Sequence, residues 1–308
     1  MKRLWLLLLL CLSIGTCTAQ IVINLKSDFV KQFQDNVTID ANFRVDVFSA
    51  VHPASQDGDI HVAGTAPEIG LLAVAEVMNA KTERNGAVKT LTGAKGSGTP
   101  VAITGAWRIW CEHGGQQEYQ QGADVPAATS SGEAHVFEIH PVSKVNGRDV
   151  SHTLEPIPGY AYKDATDAFQ LYERTNSKIS EADGTVTIST EQAGFNYTQF
   201  VAKLLTDPFD MKGGTGVMAS ILDESGELLI TERRLVFVGG TPPEQIVRGK
   251  HKGDAIEVVG IPRVSLKLVE WRLTHQDDAR CKHECLTWNI PYEMIVAAVT
   301  DENPPATE

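Results

Sequence analysis

The sequence first narrows its function by what it lacks. No G-x-S-x-G, H-E-x-x-H or phosphate-cradling glycine loop is present, and no Cys and His stand as a nucleophile pair. The compact signatures of common hydrolases and NTPases are therefore missing. A metal-dependent phosphodiesterase assembled from scattered carboxylates would leave no such signature and stays open. Beyond the first nineteen residues, no apolar run approaches the ~20 residues of a spanning helix. Positive charge is short: 27 Lys and Arg face 39 Asp and Glu, a net −12. That balance opposes non-specific binding to nucleic acid, whose affinity comes largely from neutralising phosphates.

Residues 1–19 read as an export signal. Lys2 and Arg3 precede an apolar core from Leu4 to Ile14, and Cys17-Thr18-Ala19 sets small residues before a cut at Gln20. Lipidation of Cys17 is the competing reading. Under either, the protein is exported, periplasmic or secreted. Of five cysteines, only Cys111, Cys281 and Cys285 lie outside this segment. In an oxidising compartment Cys281 and Cys285 fit a small-loop disulfide. A zinc knot with His275 and His283 is the alternative. Cys111, in an apolar strand, is expected as a buried free thiol.

What is present is mostly strand. Phe43, Val45 and Val47 alternate with polar neighbours, and Asp57-Gly58 marks a turn between strand-like runs. Residues 101–111 and 135–145 read as strands around a long loop, 114–132, while 71–78 fits a strand or one helix face. Residues 21–35 suggest an amphipathic lead-in and 164–176 a helix. Strands resume at 185–189, 195–205, 216–222, 228–238 and 255–273, and a short helix is expected at 294–299. Residues 147–163, with Pro156, Pro158 and two glycines, read as a linker. One internal match stands out. Gly98-x-x-Val101-x-Ile103-x-Gly105-x-x-Arg108 recurs as Gly253-x-x-Ile256-x-Val258-x-Gly260-x-x-Arg263, every position shifted by 155. The expected architecture is mainly β: two tandem OB-like small β-barrels with short helices, over residues 20–146 and 164–280. A C-terminal cysteine-containing segment and tail, 281–308, would follow; a β-sandwich is the alternative.

The first half resembles a group of uncharacterised, often exported bacterial proteins. They share a D-G-D-x-H turn, a G-x-[WF] strand running into a His, and an E-[IL]-H-P-[VL] strand. Here these are Asp57 to His61, Gly105 to His113 and Glu138 to Val142. The D-G-D turn is also similar to that of the staphylococcal-nuclease-like OB fold. That resemblance implies a barrel, and aspartates holding a divalent metal beside phosphate-binding arginines. The remaining carboxylate and arginines of the nuclease pattern find no matching positions.

The candidate residues follow from strand alternation. Asp57, Asp59 and His61 would share a face and could hold a hard cation, Ca²⁺ or Mg²⁺; the same residues also fit a plain hairpin turn. Glu138 and His140 would share another face as a carboxylate orienting an imidazole, or as a structural hydrogen bond at the strand end that Pro141 terminates. Trp107 and Trp110 fall on opposite faces, so one is core and Trp110 could be a stacking platform beside His113. Arg108 and Arg263 are paired structural arginines or anion contacts. Asn36 and Asn196 match glycosylation acceptors. The function expected is a non-catalytic binding or interaction protein for an unknown ligand or protein partner, with no cofactor unless a divalent cation is held. A divalent-metal-dependent phosphodiesterase is the alternative, with Asp57, Asp59 and Glu138 as ligands and Arg108 on the phosphate.

Overall fold

The computed structural model of the protein describes residues 20–276 and 285–304. The first half runs β1 (Ile21–Lys26), α1 (Ser27–Phe33), β2 (Thr38–Phe48), β3 (Ile60–Thr65), β4 (Leu72–Val77), α2 (Ala87–Gly93) and β5 (Val101–Ile109). Three-residue β6 (Glu118–Gln120), then β7 (Phe137–Val145) and β8 (Arg148–Asp149), complete it. The second half runs α3 (Ala165–Arg174), β9 (Ser177–Ala182), β10 (Thr185–Thr190), β11 (Thr198–Leu204), β12 (Phe209–Met211) and β13 (Gly214–Leu222). It ends with β14 (Leu228–Val238), α4 (Pro242–Arg248), β15 (Ala255–Val264), α5 (Leu266–Thr274) and β16 (Tyr292–Asp301).

Two five-stranded barrels result, with the same connectivity. In the first, β2 pairs antiparallel with β3 and β5, β3 with β4 and β5 with β7, and a parallel β4–β7 pairing closes the ring. In the second, β11, β13, β14, β15 and β16 repeat that order, closed by the parallel pair β14–β16. A helix follows the third strand in both, α2 and α4. This is the OB arrangement twice over. The repeated motif occupies the fourth strand of each barrel, β5 and β15, as its spacing implied.

Several elements differ from expectation for identifiable reasons. The run at 255–273 breaks into β15 and α5 because Ser265 caps a helix, its hydroxyl accepting the Leu268 N–H. Residues 294–299 are strand, not helix. β16 lies between β14 and β15 with Tyr292 to Ala298 all buried, so after Glu293 it carries an apolar run from Met294 without alternation. The second barrel thus reaches residue 301, past the boundary expected at 280. Pro141 does not end its ladder: β7 continues to Val145 across a register shift opposite Gly105 and Trp107, where a missing N–H is tolerated.

The halves are not beads on a string. β1 and β6 of the first half join the β9–β10 hairpin of the second in a four-stranded sheet, order β6-β1-β10-β9. Residues 147–163 are a packed strap, with Val150, Leu154 and Ile157 buried. Leu154 and Ile157 join Val37, Met78, Ala106, Val236, Val259 and Ile261 in an apolar layer between the barrels. The expected Cys281–Cys285 disulfide, the zinc knot and the export signal involve residues outside those described.

Candidate functional site

The site lies on the outer side of the first barrel, where alternate residues point away from its core. Phe137 and Ile139 of β7, Trp107 and Ile109 of β5 and Ala75 and Val77 of β4 fill the interior. Their neighbours Glu138, His140, Arg108 and Glu76 point the other way. They do not meet water, because the strap and the segment before β11 roof them; the Tyr160 ring stands edge-on to Tyr197 at 5.7 Å.

His140 is the hub. Its Nε2 is 2.8 Å from the Tyr197 hydroxyl and 3.5 Å from Asp59 Oδ2, and its Nδ1 is 3.2 Å from Glu76 and 3.3 Å from Glu138. Burial alone would depress the imidazole, but Glu76, Asp59 and Glu138 outweigh it and raise its pKa to about 10. It is therefore an imidazolium at neutral pH. Tyr197 donates to Asp59 Oδ2 at 2.5 Å, and Asp59 Oδ1 accepts the Asn79 N–H at 3.0 Å. Burial pushes the Glu76 carboxyl up to about 8, against the pull of His140. Burial also opposes ionisation of Glu138, yet Arg108 first, then His135 and His140, hold its carboxyl well below the usual range.

Arg108 ties this cluster to the second barrel. It pairs with Glu138 and, at 3.3 Å, with Glu112; it donates to Asn196 Oδ1 at 2.6 Å and to the Pro262 carbonyl at 2.9 Å. Arg263 mirrors it. Its Nε donates to Glu293 at 2.7 Å and its Nη1 to the Trp107 carbonyl at 3.0 Å, with the guanidinium 3.8 Å from the Trp107 ring centroid. The shift of 155 that relates Arg108 to Arg263 also relates Glu138 to Glu293 and Trp107 to Pro262. Each buried Arg–Glu pair thus reaches across to the same place on the opposite barrel, a pseudo-two-fold contact within one chain. Both guanidiniums are taken up by internal acceptors. The acid–histidine cluster is not repeated: the position of His140 is taken in the second barrel by Ile295, paired in register with Val236 and buried.

The candidate residues converge only in part. Asp59, Glu138 and His140 come together, joined by Glu76, His135 and Tyr197. Asp57 and His61 stand apart from Asp59, in a half-buried group with His52, whose Nδ1 is 2.8 Å from Asp57 Oδ1. Asp57 also accepts the Asp59 N–H at 3.0 Å, so the turn separates the residues that strict alternation would align. Trp110 is no stacking platform: it is 2% exposed and edge-on to Tyr172. Beside it His113 is exposed, as are Gln116 and Gln117 of the loop that follows and Glu118 at the start of β6. Asn36 is buried, and the half-buried Asn196 accepts from Arg108 through its amide oxygen. Glu76 had a sequence signal, a single carboxylate inside the apolar run 71–78. Glu293 had another, at the continued shift of 155; Tyr197 had none.

No protein-family model and no curated protein matches the sequence. Among solved structures, the Ifi202 HINa domain in complex with 20bp dsDNA aligns over 84% of this chain and 93% of its own, at 8% identity and a TM-score of 0.18. Wild-type single-stranded DNA binding protein from Thermus aquaticus aligns over 94% and 93%, at 10% identity and a TM-score of 0.19. At those scores neither likeness bears on a ligand. The barrel assignment stands on the strand pairing.

Proposed function

We propose that this is an exported binding or interaction protein and not an enzyme. The observation that carries the reading is the sealing of the acid–histidine cluster around His140: Asp59, Arg108 and His140 are 0% exposed and Glu76 2%, while the neighbouring His52, Asp57 and His61 group is half-buried. A metal-dependent phosphodiesterase needs Asp59 and Glu138 on one ion, but they flank opposite nitrogens of His140 and share no ligand set; a substrate would also have to reach the metal, and Arg108 is spent on internal acceptors. Buried ion networks of this kind hold elements in register rather than meet substrates. The surface better suited to a ligand is a cleft of about 570 Å³ on the second barrel, bounded by Phe209, Met218, Arg233, Lys267, Leu268 and Tyr292. It lies over β13 and β14, the second and third strands, a face OB modules use for binding. The test is hydrolysis of a generic phosphodiester with Mg²⁺, Ca²⁺, Mn²⁺ or Zn²⁺. No turnover is expected; turnover lost in Asp59→Asn would overturn the proposal.

A further inference from the structure

His135 presents an anomaly that the ionic network does not absorb. It is 3% exposed, and its Nδ1 lies 2.7 Å from the Glu133 carbonyl, which can only accept. Nδ1 therefore carries the proton, and in the neutral ring Nε2 bears a lone pair. That Nε2 has no hydrogen-bond partner, although Glu138 Oε1 is 3.4 Å away. An imidazole nitrogen this close to a carboxylate oxygen calls for a cation between them, either a second ring proton on Nε2 or a metal ion.

Glu76 supplies the third side: one donor atom each from Glu76, His135 and Glu138 lie within 4.8 Å of one another, all three residues buried. We propose that Glu76, His135 and Glu138 bind a single divalent transition-metal ion of the zinc type. Ligand atoms about 2.1 Å from a tetrahedral ion stand about 3.4 Å apart, which is the His135–Glu138 separation. One imidazole and two carboxylates suit Zn²⁺ better than the Ca²⁺ or Mg²⁺ that an all-oxygen site would favour. The outer partners are in place. The Glu133 carbonyl fixes the His135 tautomer, and Arg108 and His140 hold Glu138 Oε2, leaving Oε1 to the ion. His113, stacked on His135 at 5.1 Å and 43% exposed on its side chain, marks the way in.

The experiment uses the mature chain, residues 20–308, stripped with chelator and titrated with Zn²⁺. The proposal expects one ion per chain, a melting temperature that climbs with free Zn²⁺ by mass action, and X-ray absorption showing nitrogen and oxygen ligands without sulfur. His135→Ala should lose at least the 10- to 100-fold in affinity that removal of even an outer partner costs. The same titration on Cys281→Ser with Cys285→Ser should be unchanged. Sulfur in the first coordination sphere, loss of binding in the cysteine variant, or undiminished affinity in His135→Ala would each overturn the site. So would the absence of binding to wild type. Should His135→Ala not fold, the absorption spectrum and stoichiometry of the wild type still decide.

Discussion

A guanidinium with no exposed surface persists only if its donors are taken up, and Arg263 shows how tightly this is arranged. Glu293, the carbonyls of Asn36, Val37 and Trp107, and the Trp107 ring surround it. Removing one partner from a buried pair costs roughly 3–5 kcal/mol, so Glu293→Gln is expected to lower stability by that order in urea titrations. The pH dependence has a definite sign. Burial raises the Glu293 carboxyl, but Arg263 and Arg234 outweigh it and the net shift is downward. A depressed carboxylate contributes stability that is complete above its unfolded value near ~4.3 and is lost as pH falls through the lower folded value. Glu293→Gln should therefore remove part of the acid-side loss. Cys111 offers a second check at this scale. Burial pushes its thiol up to about 12, so little thiolate exists at neutral pH. Labelling of Cys111 by a thiol reagent should follow unfolding; rapid labelling of native protein would contradict its packing.

At the scale of single strands, the repeated glycines explain why the motif was readable. Gly98 and Gly253 have φ of +70° and +98°, a left-handed turn entering each fourth strand. Gly105 and Gly260 sit where the fifth strand or the barrel interior comes too close for a side chain. They are not equivalent in cost. A Cβ on Gly105 would lie 2.6 Å from the Pro141 carbonyl oxygen, which is backbone, whereas one on Gly260 would meet Phe200 at 2.7 Å and Met294 at 3.1 Å, side chains able to turn aside. Gly105→Ala should therefore destabilise more than Gly260→Ala, toward or beyond the upper end of the 1–3 kcal/mol typical of overpacking. Equal effects would mean β7 can shift. The half-exposed antiparallel strands were legible because one face is wet. β16 was not, since a strand buried on both sides shows neither period. The site was legible in the same uneven way. Glu138 and His140 announce themselves by alternation, and His135 lies only three residues before Glu138, but Tyr197 reaches His140 across a sequence separation of 57 that no local pattern records.

For the molecule as a whole, the sequence suggested two modules and a linker, whereas three kinds of contact make the halves interdependent. The strap fills the apolar layer between the barrels, the β1–β10 pairing crosses the midpoint of the chain, and the two Arg–Glu pairs exchange hydrogen bonds. Separating the barrels would leave Arg108 and Arg263 without their cross-barrel acceptors and expose Val236, Val259 and Ile261. Such an apolar face with unpartnered buried charge is not stable in water. The full chain should consequently unfold in one cooperative step, with the fluorescence of Trp107 and Trp110 in the first barrel, read in a chain carrying Trp271→Phe and Trp288→Phe, coinciding with far-UV circular dichroism, which samples both barrels. Hydrogen exchange should give amides of β5 and β15 the same opening free energy. The decisive measurement is on the separated halves, residues 20–163 and 164–308. If 20–163 alone unfolds cooperatively at the midpoint of the whole chain, the barrels are independent and their pseudo-two-fold contact is incidental. If neither half folds until the two are mixed, the reciprocal arginines and the shared sheet make one domain from a duplicated one.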